Sequence, residues 1–229
     1  MSEYLSSKKA KKAIIDIGQR MYVRGFVAAN DGNISVRVSE NEVWTTPTGV
    51  SKGFMTKDML VKTDLEGNVI KGERKPSSEL KMHLRAYKED PELRAVVHAH
   101  PPLLTAFGIS NKPLNSPILA EAVITLGEVP IVPYAELGST EVPESIAPYV
   151  KSHNGVILAN HGAVTWGDDP YGAYYRMESM EYYAKILLIS EKILGSTNEL
   201  KKEEITKLLE MREKFGIKRG GVPKGYNED

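Results

Sequence analysis

The first half of the chain contains two pairs of short β-rich runs, and this arrangement constrains the fold more than any other feature. Residues 33–38 and 43–46 are separated by four polar residues, and residues 60–64 and 69–70 are separated by a turn around Gly67. Runs of this kind joined by short polar segments predict antiparallel hairpins. Because later apolar runs alternate with helical patterns, we predict a mixed sheet covered by helices, which excludes a purely doubly wound sheet.

Helical patterns surround these runs. Apolar residues repeat at helical spacing over residues 7–24, and Gly25 follows where a helix end favours a left-handed residue. A proline and two serines precede Leu80 and predict the start of a helix that ends near Asp90. Further helices are predicted for residues 101–107, 139–150, 171–194 and 199–215, and further strands for residues 94–99, 129–132 and 155–159.

Length and charge limit the organisation and the partners. A chain of 229 residues with 41% hydrophobic residues can bury one large core. We predict one domain over residues 1–217 and a polar, glycine-rich tail over residues 218–229. Thirty basic residues balance thirty acidic ones, so no broad positive field is available for a nucleic acid or an anionic membrane. Any phosphate must therefore be bound by local groups.

Cysteine content and hydropathy indicate the compartment. The absence of cysteine removes disulfides, thiolate metal sites and cysteine nucleophiles, and it is compatible with a reducing environment. No apolar run reaches the length of a signal peptide or a membrane helix. We expect a cytoplasmic protein without a membrane partner.

Three of the five histidines carry the pattern of a metal site. His98 and His100 are two residues apart on a predicted strand, so their side chains share one face. His161 follows another apolar run and would complete three neutral nitrogen ligands, the usual protein share of a catalytic zinc site. Two structural alternatives stay open, which are a solvent-facing or hydrogen-bonded histidine pair and a structural histidine before Gly162.

Glu79 is the candidate acid or base. It follows two serines at a predicted helix start, where backbone N–H groups and the helix dipole attract anions. The alternative is that its carboxylate only caps the helix. His83 lies four residues further on and shares the helix face with Glu79, although a packing role is favoured for it.

Small polar residues in three turns are candidate phosphate contacts. Each turn alone would be ordinary, and Lys52 could add positive charge beside them, although a solvated lysine is the favoured interpretation. The candidate contacts are Gly32, Asn33, Thr48, Gly49, Ser77 and Ser78.

Five blocks together resemble the class II aldolase/adducin family. They are Gly-Asn-Ile-Ser-Val-Arg at 32–37, Thr-Pro-Thr-Gly at 46–49, Pro-Ser-Ser-Glu at 76–79, Ala-Val-Val-His-Ala-His at 95–100 and Asn-His-Gly at 160–162. Their order and spacing are most similar to the L-fuculose-1-phosphate aldolase branch. The resemblance covers roughly residues 7–195.

The resemblance implies an α/β fold around a mixed, largely antiparallel sheet, and a homotetramer with fourfold symmetry whose active sites lie between subunits. It implies one Zn²⁺ per subunit bound by His98, His100 and His161. Glu79 would be both a resting metal ligand and the acid/base for the substrate proton. The six small polar residues would surround the substrate's phosphate.

The implied activity is that of a zinc-dependent aldolase, an aldehyde-lyase. It would reversibly cleave a ketose 1-phosphate, either L-fuculose 1-phosphate or a related deoxypentulose phosphate. The products would be dihydroxyacetone phosphate and an aldehyde, formed through a metal-stabilised enediolate.

Two positions depart from the fuculose branch. Glu121 stands where that branch has a tyrosine that protonates the aldehyde oxygen, and it is also similar to the methylthioribulose-1-phosphate dehydratase branch. The alternative for Glu121 is a surface glutamate on a helix. Phe215 stands where the branch has a second tyrosine, which Tyr226 could replace only if the tail folds back.

Other functions remain as alternatives. A dehydratase or a sugar-phosphate epimerase could share this fold, but the epimerase branch tends to have aspartate after the paired serines, so Glu79 favours an aldolase. A non-enzymatic adducin-like binding module would require loss of the metal ligands, and the three histidines are present. A barrel-type metal hydrolase is contradicted by the early hairpins.

Overall fold

The computed structural model describes residues 3–226 and contains an eight-stranded sheet with helices on both faces. The strands are β1 Asn33–Arg37, β2 Val43–Thr45, β3 Val61–Thr63, β4 Val69–Lys71, β5 Ala95–Ala99, β6 Ile131–Val132, β7 Gly155–Leu158 and β8 Gly162–Gly167. The helices are α1 Ser7–Val23, α2 Leu80–Glu89, α3 Pro102–Ile109, α4 Ala120–Thr125, α5 Glu141–Ile146, α6 Pro170–Leu188 and α7 Lys202–Lys214.

The strand order is β4-β3-β2-β1-β5-β8-β7-β6. Every neighbouring pair is antiparallel except β6 and β7, which are parallel. The predicted hairpins are β1–β2 and β3–β4, so the mixed, largely antiparallel α/β sheet is confirmed. β1 and β5 are the two middle strands of the eight, and β8 follows β5.

Helix α1 forms because its apolar residues lie on one stripe. Ala10, Ile14, Ile17 and Met21 are fully buried against the sheet, while the other face carries charged residues. The helix is followed by Gly25, whose φ of +69° is a left-handed conformation that glycine adopts without strain. The predicted first helix is therefore confirmed to within one residue.

The alternation of β5 decides where chemistry can occur. Ala95, Val97 and Ala99 pack into the core formed with α1, α3 and α6, whereas Val96 packs into the second core formed with α2 and α5. His98 shares the face of Val96 because side chains two apart on a strand point the same way. The histidine pair is thus directed to the α2 side, at the end of the central strand.

Two elements were not predicted. The sequence interpretation ended the last strand near residue 159, but the chain turns through residues 159–161 and returns as β8. The short helix α4 was also missed as an element. β8 pairs with β5, and the turn that precedes β8 carries His161.

The described part of the predicted tail packs on the body. The Gly220 amide donates to the Ser152 carbonyl at 2.9 Å, and the Lys224 amide donates to the Asn115 carbonyl at 2.9 Å. Arg219 pairs with the buried Asp90. Residues 1–2 of the predicted domain and 227–229 of the predicted tail lie outside the described residues, and the division at residue 217 stays a prediction.

Between residues 3 and 226, no helix combines the length and the apolar character needed to cross a membrane.

Candidate active site

The site begins at the end of β5. His98 is fully buried in the register between Asn33 on β1 and Val164 on β8. His100 lies one residue beyond the strand and retains the orientation of His98, so the two Nε2 atoms are 3.1 Å apart. The strand geometry predicted from the sequence spacing is therefore present.

His161 joins them from the turn between β7 and β8. Asn160 has a φ of +57°, which reverses the chain sharply. Gly162 follows where a Cβ would come within 2.5 Å of the Ala99 carbonyl and 2.6 Å of the His100 ring, so a side chain at 162 would displace the centre. Ligand atoms of the three histidines all lie within 4.8 Å of one another.

His98 and His100 are held in the form that binds metals. The Nδ1–H of His98 donates to the Ala163 carbonyl at 2.9 Å, which leaves the lone pair of Nε2 facing the cluster. Burial lowers the pKa of His98 to about 4, and burial also lowers the pKa of His100. Both rings are therefore neutral near pH 7.

The Asp31 carboxylate contacts His100 at Nδ1, while the Nε2 of this ring faces His98. The Oδ2 of Asp31 lies 3.4 Å from the Nδ1 of His100. Carboxylates placed on the second nitrogen of a metal-binding histidine fix its tautomer and orientation. The sequence interpretation missed Asp31, although its place directly before Gly32-Asn33 was an available signal.

Glu79 lies against the same cluster. Its Oε1 is 3.1 Å from His161 Nε2 and 3.4 Å from His98 Nε2. Although Glu79 occupies the cap position of α2, its side chain makes no capping hydrogen bond, so the capping alternative is wrong. Burial alone would raise the pKa of this carboxyl, but the three histidines outweigh that effect and hold its pKa below the usual range.

Asn33 fixes the other oxygen of this carboxylate. Its side-chain amide donates to Glu79 Oε2 at 2.8 Å and to Ser77 Oγ at 3.0 Å. The Glu79 Oε1 is buried, and its close polar neighbours are the Nε2 atoms of His98 and His161, so it faces the histidine cluster. Asn33 was predicted as a phosphate contact, and in this structure it connects that region to the carboxylate.

His83 lies in the core behind the site. Its Nδ1 is 2.8 Å from Ser35 Oγ, which also contacts the Tyr87 hydroxyl at 2.9 Å. Burial lowers the pKa of His83 to about 3, so the ring is neutral. The favoured packing interpretation of His83 is confirmed.

A cleft of about 360 Å³ opens beside the cluster. This volume is in the range of sites for small molecules. Gly32 must be glycine, since its φ is +73° and a Cβ would lie 2.9 Å from the His98 carbonyl. The cleft brings together five of the six predicted phosphate contacts, which are Gly32, Thr48, Gly49, Ser77 and Ser78, with Glu79, His100 and His161.

Lys52 corrects the sequence interpretation. The sequence favoured a solvated lysine, but Lys52 is only 2% exposed. Its Nζ donates to the carbonyls of Asn30 and Val50, at 2.7 Å each, and the residue lines the cleft. Burial of this lysine could not be predicted, because it lies in a short turn where no periodic pattern of apolar residues indicates which side chains are buried.

Glu121 and Tyr226 lie away from this cleft. Glu121 is exposed on α4 and lines a different cleft with Arg24, Glu178 and Tyr182. The tail does fold back, but the Tyr226 hydroxyl lies 3.4 Å from Thr206 Oγ1 on α7. Within one chain, the structure therefore brings neither residue to the histidine cluster.

The residues present fit a divalent metal ion. Two neutral imidazoles, a third histidine and a carboxylate with an unpartnered oxygen converge on one point. Imidazole nitrogens suit zinc and similar ions, whereas magnesium prefers oxygen ligands.

Comparison with known proteins identifies the class of protein. The family described as Class II Aldolase and Adducin N-terminal domain matches residues 12–188. The chain belongs to this family, whose members are generally metal-dependent, and it is a lyase of the class II aldolase type.

Particular relatives have two different activities in their names. An L-fuculose phosphate aldolase from Methanococcus maripaludis is 39% identical over 75% of this chain and 92% of its own. A 3-oxo-tetronate 4-phosphate decarboxylase from Haemophilus influenzae is 36% identical over 77% of this chain and 85% of its own. A solved L-fuculose 1-phosphate aldolase aligns with a TM-score of 0.82 and 29% identity, over 95% of this chain and 100% of its own. The resemblance to the fuculose branch is confirmed, while the substrate is not decided.

Proposed function

We propose that this protein is a zinc-dependent aldolase that cleaves a ketose 1-phosphate of the L-fuculose 1-phosphate type, or a related deoxypentulose phosphate. The observation that carries the proposal is the position of Glu79 between His98 and His161 at the mouth of a cleft lined by small polar residues. This arrangement places a proton carrier beside a metal site and an anion site.

His98, His100 and His161 are the proposed ligands of one zinc ion per chain, with Glu79 as a fourth ligand in the resting state. A divalent ion bound there supplies Lewis-acid stabilisation of the negative charge that develops on the substrate's carbonyl oxygen. Asp31 contacts His100, and the Ala163 carbonyl accepts a hydrogen bond from His98. These two contacts keep both rings oriented.

Glu79 is the proposed acid/base. In cleavage, the C4 hydroxyl would give its proton to a second group, the role proposed for Glu121 of a neighbouring chain, so that C4 becomes the aldehyde carbon as the C3–C4 bond breaks. The electron pair stays on C3 of the dihydroxyacetone phosphate half, and Glu79 in its protonated form would deliver a proton to that carbon. In the synthetic direction, its carboxylate removes the same proton. The hydrogen bond from Asn33 holds one oxygen in place while the other is left for this transfer.

The proposed phosphate site consists of Gly32, Asn33, Thr48, Gly49, Ser77 and Ser78. Two of the three turns, those of Thr48 and Ser77, are held side by side. The Thr48 amide donates to the Lys75 carbonyl at 3.1 Å, and the Ser77 amide donates to the Thr46 carbonyl at 3.2 Å. Hydroxyl and amide donors in such turns bind phosphate oxygens.

A second candidate is decarboxylation of a 3-oxo-tetronate 4-phosphate. It is favoured by the 36% identical decarboxylase and by Glu121, which replaces the tyrosine expected in the fuculose branch. The two reactions break a bond to a carbon beside a ketone and leave the same electron pair, but the leaving group is carbon dioxide in one and an aldehyde in the other. Glu79 would protonate the remaining carbon in both.

The substrate test compares the two candidates with one readout. The zinc-loaded protein is incubated with L-fuculose 1-phosphate, with 3-oxo-tetronate 4-phosphate and with free L-fuculose, and release of dihydroxyacetone phosphate or dihydroxyacetone is measured. We expect kcat/KM to be highest for L-fuculose 1-phosphate and about 10²-fold or more lower for free L-fuculose, because the phosphate supplies binding energy. Faster turnover of the tetronate would establish the decarboxylase, and equal rates with free L-fuculose would remove the phosphate site.

We also propose that the protein acts as a cytoplasmic homotetramer whose active sites lie between subunits, where Glu121 of one chain serves a neighbour. The support is that Glu121 is exposed and lines a cleft beside Tyr182, which is 60% exposed and apolar over most of its surface. Exposed aromatic side chains are enriched in protein–protein interfaces.

The assembly is tested by light scattering, which is expected to give the mass of four chains at micromolar concentration. Changing Tyr182 to aspartate is expected to lower the mass and the activity together. A parent protein that is monomeric and fully active would contradict the shared site.

A further inference from the structure

The proposed phosphate cleft has an unusual charge composition. Among the described residues that line it, Asp31 and Glu79 are acidic, and Lys52 is the one lysine or arginine. A sugar phosphate carries close to two negative charges near pH 7. The two carboxylates would balance the charge of a divalent ion at the histidines. Amides and hydroxyls alone would then leave the phosphate's charge uncompensated, so the charge of Lys52 matters for any phosphate that enters.

Lys52 lies between the loop before Gly32 and the loop after Gly49, which are two of the three segments that would hold the phosphate. Its Nζ donates to Asn30, two residues before Gly32, and to Val50, directly after Gly49. An ammonium group has three donors in a roughly tetrahedral arrangement. Two of them are used by these carbonyls. The third has no hydrogen-bond acceptor among the described residues, and the residue lines the cleft.

The energetic situation of Lys52 favours an anionic ligand. Burial lowers the pKa of Lys52 to about 8, although Asp31 and Glu79 act in the opposite direction. A buried ammonium is costly until it is fully paired. A phosphate oxygen on the third N–H would complete the pairing and form a charge-assisted hydrogen bond.

We propose that Lys52 is a phosphate-binding residue that neutralises the substrate's phosphate through its third N–H while its other two hydrogens hold the two loops together. This inference deepens the proposed function and rests on it, since it assigns the cation that a ketose phosphate requires. It also explains why the lysine is buried at a turn instead of extending into solvent.

The test measures binding of inorganic phosphate by titration calorimetry to the metal-loaded protein. We expect Lys52→Met to weaken phosphate binding by about 10- to 100-fold, the range for a lost hydrogen bond to a charged group. Lys75→Met is the matched control, because this substitution removes the same charge from an exposed position on the neighbouring segment. The control is expected to bind phosphate within about twofold of the parent.

The thermal midpoint and metal content of both variants separate a local effect from misfolding. Lys52→Met with parental phosphate affinity overturns the inference, and so does a variant that loses kcat while its phosphate affinity is unchanged. If Lys52→Met does not fold, a crystal structure of the parent soaked in phosphate decides. A phosphate oxygen within about 3.2 Å of Nζ is expected, and phosphate bound elsewhere overturns the inference.

The experiments can contradict the proposed function and the proposed role of Lys52 independently of each other. If the parent protein cleaves none of the tested substrates but Lys52→Met loses phosphate affinity, the proposed function is wrong and the role of Lys52 stands. If the parent cleaves a ketose phosphate and Lys52→Met binds phosphate normally, the role of Lys52 alone is wrong.

Discussion

Glu79→Gln is expected to lower kcat by about 10²–10⁴-fold, the usual cost of a lost general acid/base, while the fold and most of the substrate affinity are retained. The amide is close in size to the carboxylate and can still contact Asn33, which bonds Glu79 at 2.8 Å. It cannot accept and return a proton. Steady-state cleavage of L-fuculose 1-phosphate by the zinc-loaded variant measures the effect.

The control for this change is Glu73→Gln, which removes a carboxylate from an exposed position outside the cleft. Its kcat should stay within about twofold of the parent, since isolated surface charges contribute little. A Glu79→Gln variant with a kcat within tenfold of the parent would show that another group carries the proton.

His98→Ala is expected to abolish stoichiometric metal binding and, with it, activity. Loss of an outer-shell partner typically costs 10- to 100-fold in metal affinity, so loss of a proposed ligand should exceed about 100-fold. His98 is fully buried and bonded to the Ala163 carbonyl, so nothing else can take its place without movement of the central strands. Elemental analysis after dialysis measures the metal per chain.

His153→Ala is the matched control for this experiment. His153 lies 3.9 Å from Glu128 and takes no part in the three-histidine group. It should retain one metal ion per chain. Thermal unfolding of both variants shows whether the alanine at position 98 also loosens the core. A His98→Ala protein with parental metal content would place the metal elsewhere.

Much of the fold was predictable because the strongest signals are local. The stripe of α1 and the polar turns of the two hairpins depend on short-range periodicity and turn chemistry, and both were confirmed. β8 was missed because Gly162 and Gly167 bound it and Asn160 makes a turn that a non-glycine residue rarely adopts. Its place beside β5 depends on pairing across more than sixty residues, which no local pattern contains.

The residues of the candidate site also differ in whether local sequence patterns could predict their positions. The spacing of His98 and His100 directly predicted a shared face, whereas the approach of His161 and Glu79 required either family resemblance or the tertiary structure. Asp31 was overlooked, and the favoured interpretation of Lys52 as a solvated side chain was wrong, because the environments of both residues depend on burial and on partners in other segments. Glu121 lines a different cleft of the chain, so its proposed catalytic role depends on the proposed assembly with a second copy.

Exchange of a proton of dihydroxyacetone phosphate with deuterated solvent tests the central claim most directly, because it isolates the half-reaction that the aldolase and the decarboxylase share. It requires the proposed metal site, the phosphate site and Glu79, but no aldehyde. We expect the parent protein to exchange one C3 proton stereospecifically, Glu121→Gln to exchange it at a similar rate, and Glu79→Gln to exchange it about 10²–10⁴-fold more slowly. Absence of exchange in the zinc-loaded parent would contradict the assignment, and rapid exchange by Glu79→Gln with slow exchange by Glu121→Gln would make Glu121 the base.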